Sequence, residues 1–121
     1  MLLRLLMLVI NVTTGKEVAD SVVVAKTLFS RLKGLLGRKE LAAGEGMLIR
    51  SCMGVHTVGM RFPIDVIFLD KNNSVVACEN KLLPNRMTRI YPRATSVLEL
   101  PVGIINASST EIGNRLDLRA C

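Results

Sequence analysis

Arg61-Phe-Pro-Ile-Asp-Val-Ile-Phe-Leu-Asp-Lys-Asn-Asn-Ser-Val-Val-Ala-Cys78 decides the fold. Ile64 to Leu69 is rich in β-branched and aromatic side chains, which favour extended chain on a buried surface. Asp70-Lys71-Asn72-Asn73 signals a turn, and Ser74 to Cys78 returns as the hairpin partner. Pro63 stands ahead of the strand, where its missing N–H forfeits no ladder bond. One acid, Asp65, interrupts the apolar run. A buried carboxylate without partners is costly, so Asp65 must reach solvent, a cation such as Arg61 or Arg50, or several backbone N–H groups.

Working outward, Leu3 to Val12 and Glu17 to Ala25 read as a second hairpin about the turn Thr13-Thr14-Gly15-Lys16. Its opening run is too short for a membrane span and is followed by a turn rather than a cleavage site, so it reads as a strand. Thr27 is placed to cap a helix through Leu36, with Leu28, Phe29, Leu32, Leu35 and Leu36 on one face and Gly37 to stop it. Met47 to Ile49, Thr95 to Leu100 and Arg115 to Leu118 supply further strands. Pro101 and Gly103 open a short helical or turn segment. Glu99 alternates with apolar neighbours and is expected to point outward. The irregular order of elements excludes regular βαβ alternation. The expected fold is α+β: a small, mostly antiparallel, curled sheet or partly open barrel of about seven strands, with one principal helix and a second short one.

The 121 residues suit a single domain over 1–121, with 50% hydrophobic residues to fill its core. Three cysteines, Cys52, Cys78 and Cys121, have no CxxC pair or zinc-type spacing and point to free thiols in the cytoplasm. Cys78 reads as a small core residue. The net charge of +6 suits an acidic partner, but the basic residues are dispersed and only four residues are aromatic. That argues against nucleic acid, which needs stacking platforms.

Functional residues concentrate ahead of the central strand. Cys52, His56 and Met60 recur every four residues beside Thr57, Arg61 and Asp65. Three kinds of site fit them. In the first, Cys52, His56, Thr57, Met60, Arg61 and Asp65 line a recess for a small or anionic ligand or a protein partner, with Arg86 and Arg89 adding recognition of an anion. In the second, Cys52 is a nucleophile with His56 as base and Asp65 as its orienter. The third is a soft-metal site for Cu(I) on Cys52, His56 and Met60. In extended chain such residues stand ~13 Å apart, so one ion demands a folded-back loop. The binding site asks for no special geometry and is the preferred expectation, with no cofactor called for. The plain structural alternative has His56 donating to a backbone carbonyl, Thr57 closing a turn, and Asp65 pairing with Arg61 or capping loop amides.

The chain resembles the family called domain of unknown function 192 (DUF192, or UPF0127) over about residues 15–119. The resemblance rests on five blocks in order: Arg31-Leu-Lys-Gly-Leu-Leu36, Gly44-Glu-Gly-Met-Leu48, His56-Thr-Val-Gly-Met-Arg-Phe-Pro-Ile-Asp65-Val-Ile-Phe-Leu-Asp70, Val97-Leu-Glu-Leu-Pro-Val-Gly103 and Ile112-Gly-Asn-Arg-Leu116. It implies a small β-rich domain with a helix near the start, and no reaction, cofactor or substrate. Some members carry an aromatic residue and Met-Lys-Asn-Thr where this chain has His56-Thr-Val-Gly-Met60, often behind a secretion signal. The departure fits a cytoplasmic member.

Overall fold

Every strand expected from the sequence is present in the computed structural model, which describes residues 6–25 and 38–120. In chain order they are β1 (Leu6–Asn11), β2 (Lys16–Ala25), β3 (Glu45–Arg50), β4 (Ile64–Leu69), β5 (Val75–Leu82), β6 (Ser96–Leu100) and β7 (Leu116–Ala120). Among the described residues the helical element is one turn, α1 (Ile104–Ala107). The principal helix expected over Thr27 to Leu36 lies outside the described residues, so the architecture on view is a sheet with very little helix.

The strands form one curled half-barrel in the order β5-β4-β6-β3-β2-β1-β7. All pairs are antiparallel except β2 with β3. The two edge strands meet at one corner, through the bridge Ser74–Arg115. There Val75 donates to Asn114 O, Gly113 to Val75 O and Leu116 to Asn73 O. Because that contact is antiparallel, the chain from Asn114 back toward α1 runs along the exposed side of β5. Asn80 Nδ2 reaches Asn106 Oδ1 at 3.4 Å along the same line. An edge that would otherwise offer unpaired groups is thus partly covered.

Turn chemistry fixes the hairpins. Asn11 Oδ1 accepts the N–H groups of Thr13 and Thr14, and Gly15 takes a φ of 77°. In the β4–β5 turn, Asp70 Oδ1 accepts from Asn72 and Ser74. Those bonds, that from Ser74 foremost, hold the Asp70 carboxyl below its usual range.

Both faces of the central strands are buried. All seven strands send residues to the inner face, among them Val9, Val22, Leu48, Ile67, Val75, Leu98 and Leu116, and Ile105 of α1 plugs it. The outer face carries Met47, Ile49, Ile64, Val66, Phe68 and Val97, covered by Val55, Met60 and Phe62 from the β3–β4 connection. This corrects the expectation for Glu99. It alternates away from Leu98 and Leu100 as foreseen, but between Met47 and Val66 on the covered outer face, and it is wholly buried. The other face of this sheet is a second core, not water.

Candidate functional site

The covering layer is made of two segments, 51–63 between β3 and β4 and 83–95 between β5 and β6. They pair as an irregular antiparallel ribbon. Thr57 N–H donates to Arg86 O, Thr88 N–H to Val55 O and Tyr91 N–H to Met53 O. Thr57 is the rivet. Its hydroxyl donates to Leu83 O at 2.6 Å and accepts from Arg86 N–H at 2.9 Å, with the residue wholly buried. Gly59 N–H adds a bond to Asn85 Oδ1. The layer is held to the sheet by Tyr91. Its ring lies 4.5 Å from that of Phe68, and its hydroxyl donates to Glu79 at 2.5 Å. Desolvation first, then the Glu79 carboxylate, push the Tyr91 phenol up to about 12.

Alternation along the ribbon sorts its side chains. Val55, Thr57 and Met60 point into the outer core. His56 falls on the opposite row, bridged to Met87. Hydrogen bonds flank this pair rather than join it, the arrangement that brings facing side chains closest in an antiparallel ladder. Next along the row stands Gly54. A Cβ there would come within 2.9 Å of Ile90 Cδ1 and 3.3 Å of Arg89 O, so the missing side chain makes room for Ile90. His56, Met87, Ile90 and Val58 therefore gather on the outward side. Met87 is 74% exposed, Ile90 61% and Val58 56%. His56 Nδ1 is buried and has no hydrogen-bond partner among the described residues.

The six candidate residues separate. Cys52, His56, Thr57, Met60 and Arg61 all belong to the layer, but in different roles. Thr57 and Met60 are inside it, and Arg61 is exposed. Cys52 is half-buried and donates its thiol to Gly54 O at 3.0 Å. Asp65 faces the other way, on the inner side of β4 with Ile67 and Leu69. A bulge explains how it is satisfied. Ile64 pairs with Leu82 and Val66 with Glu79, so two residues of β5 stand opposite Asp65. The extra residue lets Lys81, at φ 52°, turn its N–H off the ladder to Asp65 Oδ1 at 2.9 Å. Oδ2 accepts from Gly103 and Ile105, at 3.1 and 2.9 Å. Of the three outcomes foreseen for Asp65, the chain uses backbone N–H groups.

This geometry does not assemble a Cys–His–Asp constellation: Asp65 is across the sheet, and among the described residues no hydrogen bond joins Cys52 to His56. Nor does it gather the sulfur–imidazole trio, since Met60 is in the core and His56 is on the outward row. Among the described residues no three His, Cys, Asp or Glu side chains stand within reach of one ion. Cys78 is half-buried against the inner core, as expected of a packing residue. Burial, then the Asp65 and Glu79 carboxylates, raise its thiol to about 11. Among the described residues no helix is long and apolar enough to cross a membrane.

Comparison with known proteins agrees with the blocks read from the sequence. The profile of DUF192, described as an uncharacterized ACR, matches residues 9–118. The chain belongs to the DUF192 family. A UPF0127 protein of Pyrococcus furiosus is 39% identical over 111 residues, covering 89% of this chain and 95% of the relative. A UPF0127 protein of Thermococcus sibiricus is 32% identical, over 91% of this chain and 73% of that one. Two solved structures share the fold at a TM-score of 0.77. One is a protein of unknown function from Novosphingobium aromaticivorans, 22% identical, over 93% of this chain and 83% of its own. The other is a putative transcription regulator from Sinorhizobium meliloti, 21% identical, over 96% and 94%.

The residues that sequence reasoning passed over are Met53, Val58, Met87 and Ile90, ordinary apolar residues in an irregular region. One signal was present. Segments 51–63 and 83–95 contain Arg61, Arg86, Arg89 and Arg93 and not one of the chain's 10 acidic residues.

Proposed function

We propose that this DUF192 protein is a binding domain that recognises a partner protein through the outward row of its covering layer. One observation carries the reading. Of the nine large hydrophobic residues most exposed among those described, Met53, Val58, Leu83, Met87 and Ile90 lie in the two segments of this layer. Scattered apolar residues on a surface need no explanation, but a cluster rimmed by polar groups marks an interaction site. Methionine and arginine are enriched in protein interfaces. The cluster rests on a rigid sheet and is riveted by Thr57 and Tyr91, so it meets a partner pre-shaped. Of the residues singled out in the sequence, Cys52, His56 and Arg61 remain on or beside this surface, while Thr57, Met60 and Asp65 support it from within or behind. The reading sets the domain in the cytoplasm, where Cys52 and Cys78 stay thiols.

The test is site-specific photocrosslinking in native cells. A photoreactive side chain at Met87 is expected to give one discrete adduct. The same group at Ile112, comparably exposed at 67% but outside the layer, is expected to give none. Identical adduct patterns from the two positions, or none from Met87, overturn the reading.

A further inference from the structure

The arginines of the layer say what kind of partner fits. Arg61, Arg86, Arg89 and Arg93 are all exposed. Among the described residues the ion pairs within 4 Å are Arg38 with Glu45 and Arg119 with Asp117, and none uses these four. The Arg86 guanidinium reaches the carbonyl of Asn85, at 3.4 Å. Arg89 lies over the Tyr91 ring, 5.9 Å from its centroid, which orients the guanidinium while leaving its edge donors free. Arg93 acts on the Asp70 carboxylate of the neighbouring turn, whereas Arg86 and Arg89, with no acid in their own two segments, suit carboxylates or phosphates from outside.

Resting on the partner-docking reading above, we infer that the partner presents an acidic segment with apolar anchors. Its carboxylates pair with Arg86 and Arg89, and its apolar side chains lie across the His56–Met87 pair and Ile90. Three other occupants fit less well. A second copy docked face to face would set the Arg86 and Arg89 guanidinium groups of both copies against one another, a like-charge arrangement that interfaces avoid. Single-stranded nucleic acid needs exposed rings, whereas Phe62 is buried and the Tyr91 hydroxyl is committed to Glu79. An anionic membrane would satisfy the charge, but interfacial anchors favour Trp, Phe and Leu over the methionines found here. Met53 and Met87 instead suit a protein segment, since an unbranched thioether adapts to varied apolar side chains.

The experiment measures binding to the purified full chain by fluorescence anisotropy. The main probe is a short peptide interleaving Glu and Asp with Leu and Phe. Polyglutamate, the same peptide with Lys at its acidic positions, phosphatidylserine vesicles and a single-stranded oligonucleotide are the comparisons. The mixed acidic and apolar peptide is expected to bind best, and to weaken as salt is raised. The double variant Arg86→Ala/Arg89→Ala should weaken it about tenfold, and Met87→Ser several-fold, with Arg119→Ala unchanged. All these positions are exposed, so unfolding temperatures should match the parent within error. Polyglutamate, vesicles or oligonucleotide binding as tightly with the same arginine dependence overturns the proposal, as does an unaffected double variant. If the Met87 crosslink survives while the acidic peptide fails, docking at the layer stands and the acidic chemistry falls. If both fail, the surface is not a docking site.

Discussion

The inner face of the sheet and the layer on its outer face are both apolar, yet they differ in how much of that apolar surface they leave in the open. Around β4 and β6 every side chain is buried, and the one carboxylate on the inner side of β4 collects three backbone N–H groups. In the covering layer, buried Val55, Thr57, Met60 and Phe62 sit beside Met53, Val58, Met87 and Ile90 in the open. Two of the five non-glycine residues with positive φ among those described, Ser51 and Asn85, stand in that layer. A region selected only for stability fills its hydrogen bonds and hides its apolar atoms. The central strands hide their apolar side chains and the layer leaves a row of them in the open, which is why recognition is assigned to the layer.

The contrast is testable. Asp65→Ala would strand the N–H groups of Lys81, Gly103 and Ile105 together and free α1 from β4. Its expected cost is about 3–5 kcal/mol, read as a lowered denaturation midpoint of the whole fold. A local effect confined to α1 would show that the inner core does not depend on this carboxylate. Thr57→Val removes the rivet of the layer and should cost about 1–2 kcal/mol. Amide exchange should accelerate in residues 53–59 and 83–91 while β4 and β6 stay protected. Uniform acceleration would mean that layer and sheet open as one unit, ending the distinction drawn above.

Alkaline pH gives the mildest perturbation. The Cys78 thiol and the Tyr91 phenol both titrate above their ordinary values in the folded chain, at about 11 and about 12. The unfolded chain then loses these protons first. Stability is therefore full below pH ~8.5 and falls as the pH rises, through Cys78 first and then through Tyr91. Denaturant unfolding at stepped pH checks this. Cys78→Ala should flatten the early part of the decline and Tyr91→Phe the later part.

The sheet was legible because its signals are local. The hairpin 64–78 has a β-branched run and an Asp-Lys-Asn-Asn turn side by side, and the turn at Gly15 has its φ written in the residue. Glu99 was misread because a period of two tells which face a residue takes, not what covers that face. Sequence alone leaves Asp65 three choices because two of its donors, Gly103 and Ile105, lie 38 and 40 residues away. The outward row of the layer was hidden for a similar reason. Met87 becomes part of a surface with His56 only when 83–95 folds back on 51–63, a pairing that no alternation in either segment announces. Composition did carry the arginine clustering, and a search for acid-free stretches would have found it.

The pairing of β1 with β7 has a consequence for how the protein is made. Met7 stands opposite Ala120, and Asn11 is bonded to Thr110, 99 residues on. A ribosome adding 5–20 residues per second leaves the far edge of β1 waiting on the order of ten seconds for its neighbour. Until then a nascent chain displays Met7 and Val9 beside an open row of amides, a strand edge ready to pair with the wrong neighbour.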